Sequence, residues 1–161
     1  MEKTPTAVMV VMESGSEWPA WIDQCRPSSG PCSASTRVIA QEDGETPAQL
    51  ADRVIDRIEA SLGEGTNIEC AVVACSERVD DGAVAARRAI ASAMLSAMAR
   101  RRRGRLLFSA NRRSSGRARH ALSAIASDLA QVWEDTGVTT SVRFGVDVPE
   151  PVEAGTERRV A

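Results

Sequence analysis

Twice in this chain the same order recurs: an apolar run, a polar turn, a glycine and an amphipathic segment. Val72-Val73 and Leu106-Leu107 stand 34 apart, as do Arg78 and Arg112, and Gly82 and Gly116. Ala89-Ile90-Ala91-Ser92 returns as Ala124-Ile125-Ala126-Ser127 at a spacing of 35. Two copies make a βαβ rhythm and are too few for a solenoid. Strands that alternate with helices require a parallel sheet joined by right-handed crossovers.

The remaining elements fit that frame. Ala7 to Met12 is a continuous apolar run, as in a strand buried on both faces. A long connection follows, with one short helix near Pro19 to Gln24 carrying Trp18, Trp21 and Ile22, and a loop from Arg26 to Ser35. Arg37 to Ala40 is a short second strand. Thr46-Pro47 opens a helix, with a hydroxyl cap and then proline at the first helical position. Leu50, Val54, Ile58 and Leu62 recur along it at helical spacing, and Gly63 stops it. Ile68 to Cys75 is the third strand. Asp80 or Asp81 caps a helix running from Gly82 to about Arg100. Arg105 to Ala110 is the fourth strand. Ser114 or Ser115 caps a third helix, Gly116 to Asp135, whose expected buried stripe is Leu122, Ile125, Leu129, Val132 and Trp133. Residues 138 to 148 alternate with period two, which predicts a strand with one polar face at a sheet edge.

The expected architecture is therefore α/β: a single three-layer domain over residues 1–148, with a mostly parallel five-stranded sheet, helices on both faces and Rossmann-like or flavodoxin-like topology. Residues 149–161, rich in proline and charge, are expected to form a disordered tail. A length of 161 residues suits one domain. With 43% hydrophobic but only 3% aromatic residues, the core must be built from Val, Ile, Leu, Met and Ala. The order of elements is similar to that of universal stress proteins and of flavodoxin-like domains. The Gly-x-x-Gly and later Gly-Ser/Thr motif of the universal stress family does not follow Ala110, so the resemblance carries no nucleotide site with it.

Charge is distributed unevenly. Residues 1–81 hold fifteen acids and six bases, a net of −9; residues 82–127 hold eleven arginines and no acid; residues 128–161 hold seven acids and three bases, a net of −4. The total of −2 hides this asymmetry. Part of the basic window is the loop Ser109 to His120, between a strand and a helix. Arginine at a helix start opposes the dipole. Hydroxyls, free backbone N–H groups and arginines gathered there suit an anion such as phosphate. Asn111, Arg112, Ser114, Ser115, Gly116 and Arg117 are the expected anion cradle. The competing reading is that Arg112, Arg113 and Arg117 are solvated or pair with acids on other loops. Neither the Walker A pattern nor Gly-x-Gly-x-x-Gly is present.

In a parallel sheet the cradle would face three other loops at the carboxyl ends of the strands, Glu13 to Trp18, Gln41 to Glu45 and Ser76 to Asp81. Ser14-Gly15-Ser16 faintly matches a flavodoxin phosphate loop, but Glu13 and Glu17 flank it and would repel phosphate. Arg100 to Arg103, with Arg105, close a helix at the opposite end of the sheet. They read as a solubilising cap, as a nucleic-acid contact without interleaved aromatics, or as a surface for an acidic partner or second copy.

Other chemistry is sparse. Cys70 and Cys75 lie five apart on one strand and point to opposite faces. Cys25 and Cys32 flank a Pro-Ser-Ser-Gly-Pro loop they could close as a disulfide. No spacing matches a zinc module. Cys75 sits where a strand meets a helix, a position that can lower a thiol pKa, though a structural cysteine is the simpler reading. The single histidine, His120, is expected on the polar side of the third helix with 124, 127 and 131. Carboxylates at Glu13, Glu77, Asp80 and Asp81 could approach one another. Trp18 and Trp21 read as packing residues. No leader and no apolar run of membrane-spanning length is seen, which predicts a cytoplasmic protein. The expected function is a non-catalytic regulatory domain binding a small anionic ligand, with a nucleotide among the candidates and no cofactor indicated. The alternatives are an interaction or homodimer-forming module using charge complementarity, and nucleic-acid binding through the arginine run.

Overall fold

The computed structural model describes residues 5–19 and 35–144. Five strands form one sheet: β1 (Thr6–Met12), β2 (Ser35–Ala40), β3 (Asn67–Cys75), β4 (Gly104–Ala110) and β5 (Val138–Phe144). Their order is β2-β1-β3-β4-β5, and each neighbouring pair is parallel. Three helices alternate with the strands, α1 (Pro47–Gly63), α2 (Asp81–Ala99) and α3 (Gly116–Val132). This is the α/β parallel-sheet architecture expected from the βα rhythm, with β5 at an edge as its alternating pattern requires.

Apolar residues of one parity, Met9, Val11, Ala71, Val73, Leu106 and Phe108, meet all three helices in one core. The other parity, Val8, Val10, Cys70, Val72 and Leu107, forms a second buried cluster on the opposite face. The described helices thus pack on one side of the sheet. The short helix expected from Pro19 to Gln24 lies outside the described residues apart from Pro19, as do the tail from 149, the strand residues past 144, and Cys25 and Cys32. Cys70 and Cys75 are buried under opposite faces, as their spacing demands.

Helix starts follow the sequence signals closely. Thr46 accepts from the Gln49 N–H while the Gln49 side chain accepts from the Thr46 N–H, a full capping box ahead of Pro47. Asp80 and Ser115 accept from the N–H groups of Ala83 and Ala118. The end of α3 differs from the expectation. The helix stops at Val132, and a 3₁₀ turn, Glu134–Thr136, follows before Gly137. The stop turns the last stripe position outward, so Val132 is 75% exposed while Trp133 packs against the core. Trp18 departs likewise, being 48% exposed.

One ion pair near the start of α1 carries a pH dependence. Both Glu45 carboxylate oxygens accept from Arg53, at 2.9 and 2.8 Å. The guanidinium, joined by the Glu42 N–H, holds the Glu45 carboxyl down at about 2. A depressed folded-state pKa stabilises the fold above the ordinary carboxylate value of 4.5, and that contribution is lost as pH falls toward 2. Thermal melts from neutral pH to pH about 2 should therefore show a shallower acid loss for Glu45→Gln than for the wild type.

Candidate functional site

Because every strand runs the same way, the loops after β1, β2, β3 and β4 emerge at one end. The chain leaves β1 toward β2 on one side and continues from β3 to β4 and β5 on the other. The β1/β3 boundary is therefore the point where strand order reverses, the usual ligand crevice of such sheets.

A protein carboxylate sits at that boundary. Glu13, directly after β1, accepts from the Ser76 N–H at 2.9 Å and the Ser76 hydroxyl at 3.1 Å. Its two oxygens also accept from Arg87 Nε and NH2 at 2.6 and 2.7 Å. Arg87 comes from α2, is 1% exposed, and donates a further bond to the Ser76 carbonyl. Glu13 thus satisfies donors from β3 and α2 together, much as a bound anion would. Cys75 lies beside this pair. Burial, and then the Glu13 charge, push its thiol well above the ordinary value. The lowered thiol pKa that a strand-to-helix position allows is therefore not the state of Cys75.

The β4–α3 loop is held in the same manner. Arg112 donates its backbone N–H to Glu17 at 2.6 Å, and Ser115 donates its own to Glu77 at 2.9 Å. The Asn111 side chain bridges back to the β1 loop, accepting from the Glu17 N–H and donating to the Gly15 carbonyl, both at 2.9 Å. Ser114 donates its N–H and its hydroxyl to the Asn111 carbonyl. Gly116 is the first residue of α3, and Arg113 and Arg117 are exposed beside it. The Arg112 carbonyl accepts from Arg119. A fourth latch joins the β2 loop, where Ser14 donates its N–H to Gln41.

The six cradle residues are therefore neighbours on one turn, and all four loops converge as expected. Two backbone donors of that turn, however, are engaged by acids of the chain itself. The four carboxylates that sequence placed near one another go to separate tasks. Glu13 pairs with Arg87, Glu77 holds Ser115, and Asp80 caps α2 and pairs with Arg78, which lowers the Asp80 pKa. Asp81 is exposed in the first turn of α2. Among the described residues no group of acids, histidines and cysteines could hold a metal ion, and no helix is long and apolar enough to cross a membrane. His120 lies on the exposed side of α3 with Ala124, Ser127 and Gln131.

The Glu13–Arg87 pair was the main feature sequence reading missed. Its signal is present: Ala83, Arg87, Ile90 and Met94 fall on one stripe of α2, so an arginine stands where an apolar residue belongs.

These features define an open parallel α/β domain whose carboxyl-end loops are tied together by its own glutamates. No family model matches the chain, and no curated protein matches it. Among solved structures, it is similar to a short-chain dehydrogenase from Streptomyces avermitilis, at 12% identity and a TM-score of 0.48, over 99% of this chain and 78% of that one.

Proposed function

We propose that the chain is a non-catalytic regulatory domain that binds a small anionic ligand, with a nucleotide among the candidates, on the β4–α3 turn. Asn111, Arg112, Ser114, Ser115, Gly116 and Arg117 form the cradle. The observation that supports this reading is the pair of carboxylates already seated on the turn, Glu17 on the Arg112 N–H and Glu77 on the Ser115 N–H. The Ser115 N–H at the α3 cap attracts negative charge, the Arg112 N–H stands in the turn just before it, and both hold carboxylates from two other loops. A phosphate would displace one or both glutamates and gain the guanidinium groups of Arg112 and Arg117. A binding role fits the site better than catalysis. The Cys75 thiol is buried and held protonated, and His120 is exposed on α3, away from it.

Thermal-shift titrations with inorganic phosphate and with nucleoside mono-, di- and triphosphates test the reading. A ligand at a hundred times its Kd adds about 2.7 kcal/mol, a shift of several degrees in a domain this size. Arg112→Ala/Arg117→Ala is expected to lose the shift. Glu17→Gln/Glu77→Gln removes two competing charges beside the bound anion and should tighten binding by about tenfold or more. No shift with any of these anions, in either the wild type or the glutamine double variant, would sink the proposal.

A further inference from the structure

The arginine run lies at the other end of the sheet, where α2 turns into β4. Arg100, Arg101, Arg102, Arg103 and Arg105 are all exposed. Of these five, Arg103 alone has a carboxylate partner among the described residues, Glu69 at 3.5 Å. Arg102 has a φ of 55°, the described residues' single non-glycine in the left-handed region. Glycine or asparagine is the ordinary occupant of such a position. The Arg102 carbonyl lies directly against Gly137.

The matching surface is on the same chain. At the carboxyl end of β2, an open concavity around the start of α1 is lined by Glu42, Asp43, Glu45, Asp52, Asp56 and Arg53. Arg53 is already paired with Glu45, which leaves Glu42, Asp43, Asp52 and Asp56 exposed and without an ion pair among the described residues. One molecule cannot bring its own two surfaces together. They stand at opposite ends of a parallel sheet whose six- and seven-residue strands span about 20 Å, beyond the screening length of about 8 Å at physiological salt.

We infer that the Arg100–Arg105 turn of one copy docks on the acidic concavity of a second copy. Two different patches meet, so the contact is head-to-tail and builds a ring or a chain rather than a twofold dimer. The turn's own neighbours favour a protein surface over a nucleic acid. Glu134 and Asp135 are exposed on the 3₁₀ turn just before Gly137 and would repel a phosphate backbone, whereas a second copy also offers a base there, Arg57 being exposed beside Asp56.

Sedimentation velocity at about 0.01 M and about 1 M salt, where screening lengths differ about tenfold, provides the test. The wild type is expected to associate with rising concentration at low salt and to be monomeric at high salt. Arg100→Glu/Arg101→Glu and Asp52→Arg/Asp56→Arg alter exposed positions, and each should weaken association about tenfold or more. Mixing the two variants should restore it, because each then offers the surface the other lacks; a folding defect could not produce that recovery. A wild type that stays monomeric at low salt, or a mixture that fails to recover, overturns the inference. So does a monomer that binds a fluorescent oligonucleotide through the arginines, which would assign the turn to nucleic acid.

Discussion

Gly137→Ala is expected to lower stability by about 2–4 kcal/mol, enough to move the Tm by about 5–15 °C for a chain of this length. Gly137 has a φ of 84°, where an alanine pays about 1–2 kcal/mol for the left-handed backbone alone. Its Cβ would also fall inside contact distance of the Arg102 carbonyl oxygen and carbon. Those are backbone atoms, so relief needs the α2–β4 turn to move. Gly104, at the end of that turn, lies close against the Met98 side chain. The check is a denaturant melt of Gly137→Ala beside Gly65→Ala. Gly65 has the same backbone sign, with a φ of 85°, but open space around its missing Cβ. The difference between the two variants isolates the collision from the backbone contribution. Equal losses would mean the turn repacks without difficulty.

Removing one member of the Glu13–Arg87 pair is expected to be the most damaging change in the domain. Arg87→Met leaves the Glu13 carboxylate without its strongest donors in a largely buried site, at about 3–5 kcal/mol. The double variant Glu13→Gln/Arg87→Met should recover part of that loss. It leaves no unpaired charge, and the amide carbonyl that replaces the Glu13 carboxylate can still accept from Ser76. Equilibrium urea unfolding of both variants and the wild type closes the comparison. A double variant that is less stable than Arg87→Met would show that the pair contributes through packing and backbone bonds rather than through charge. Arg87 NH1 has no hydrogen-bond partner among the described residues, so the pair carries one buried donor that they leave unsatisfied.

Much of the architecture was legible because its signals are local. Thr46-Pro47 with Gln49 writes its own helix start, and the period-two alternation after Gly137 writes an edge strand. The cradle residues were also readable as a unit, since Asn111 through Arg117 are contiguous and must share one turn. What occupies their donors was not readable. Glu17 and Glu77 reach the β4–α3 turn across 95 and 38 residues, and no periodicity connects them. Glu13 was read as a deterrent to phosphate, yet it closes the β1/β3 boundary from inside. Arg87 was visible as a misplaced charge on an apolar stripe, but its partner becomes evident only once β1 and α2 are adjacent. Val132 was misread because α3 ends early, and helix ends are set by capping and the following turn rather than by the apolar repeat.

The latches at the carboxyl end also fix an order of events. Asn111 meets Gly15 and Glu17 across 96 and 94 residues, and Glu13 meets Arg87 across 74. Closing such long loops carries an entropic cost that local contacts do not. These bonds need β1, β3 and β4 to be adjacent, so they are expected to close after those strands have paired. The Asn111 and Arg112 bonds are exposed and can break without disturbing the sheet beneath them. The proposed binding face is thus expected to form after the sheet and to open before it.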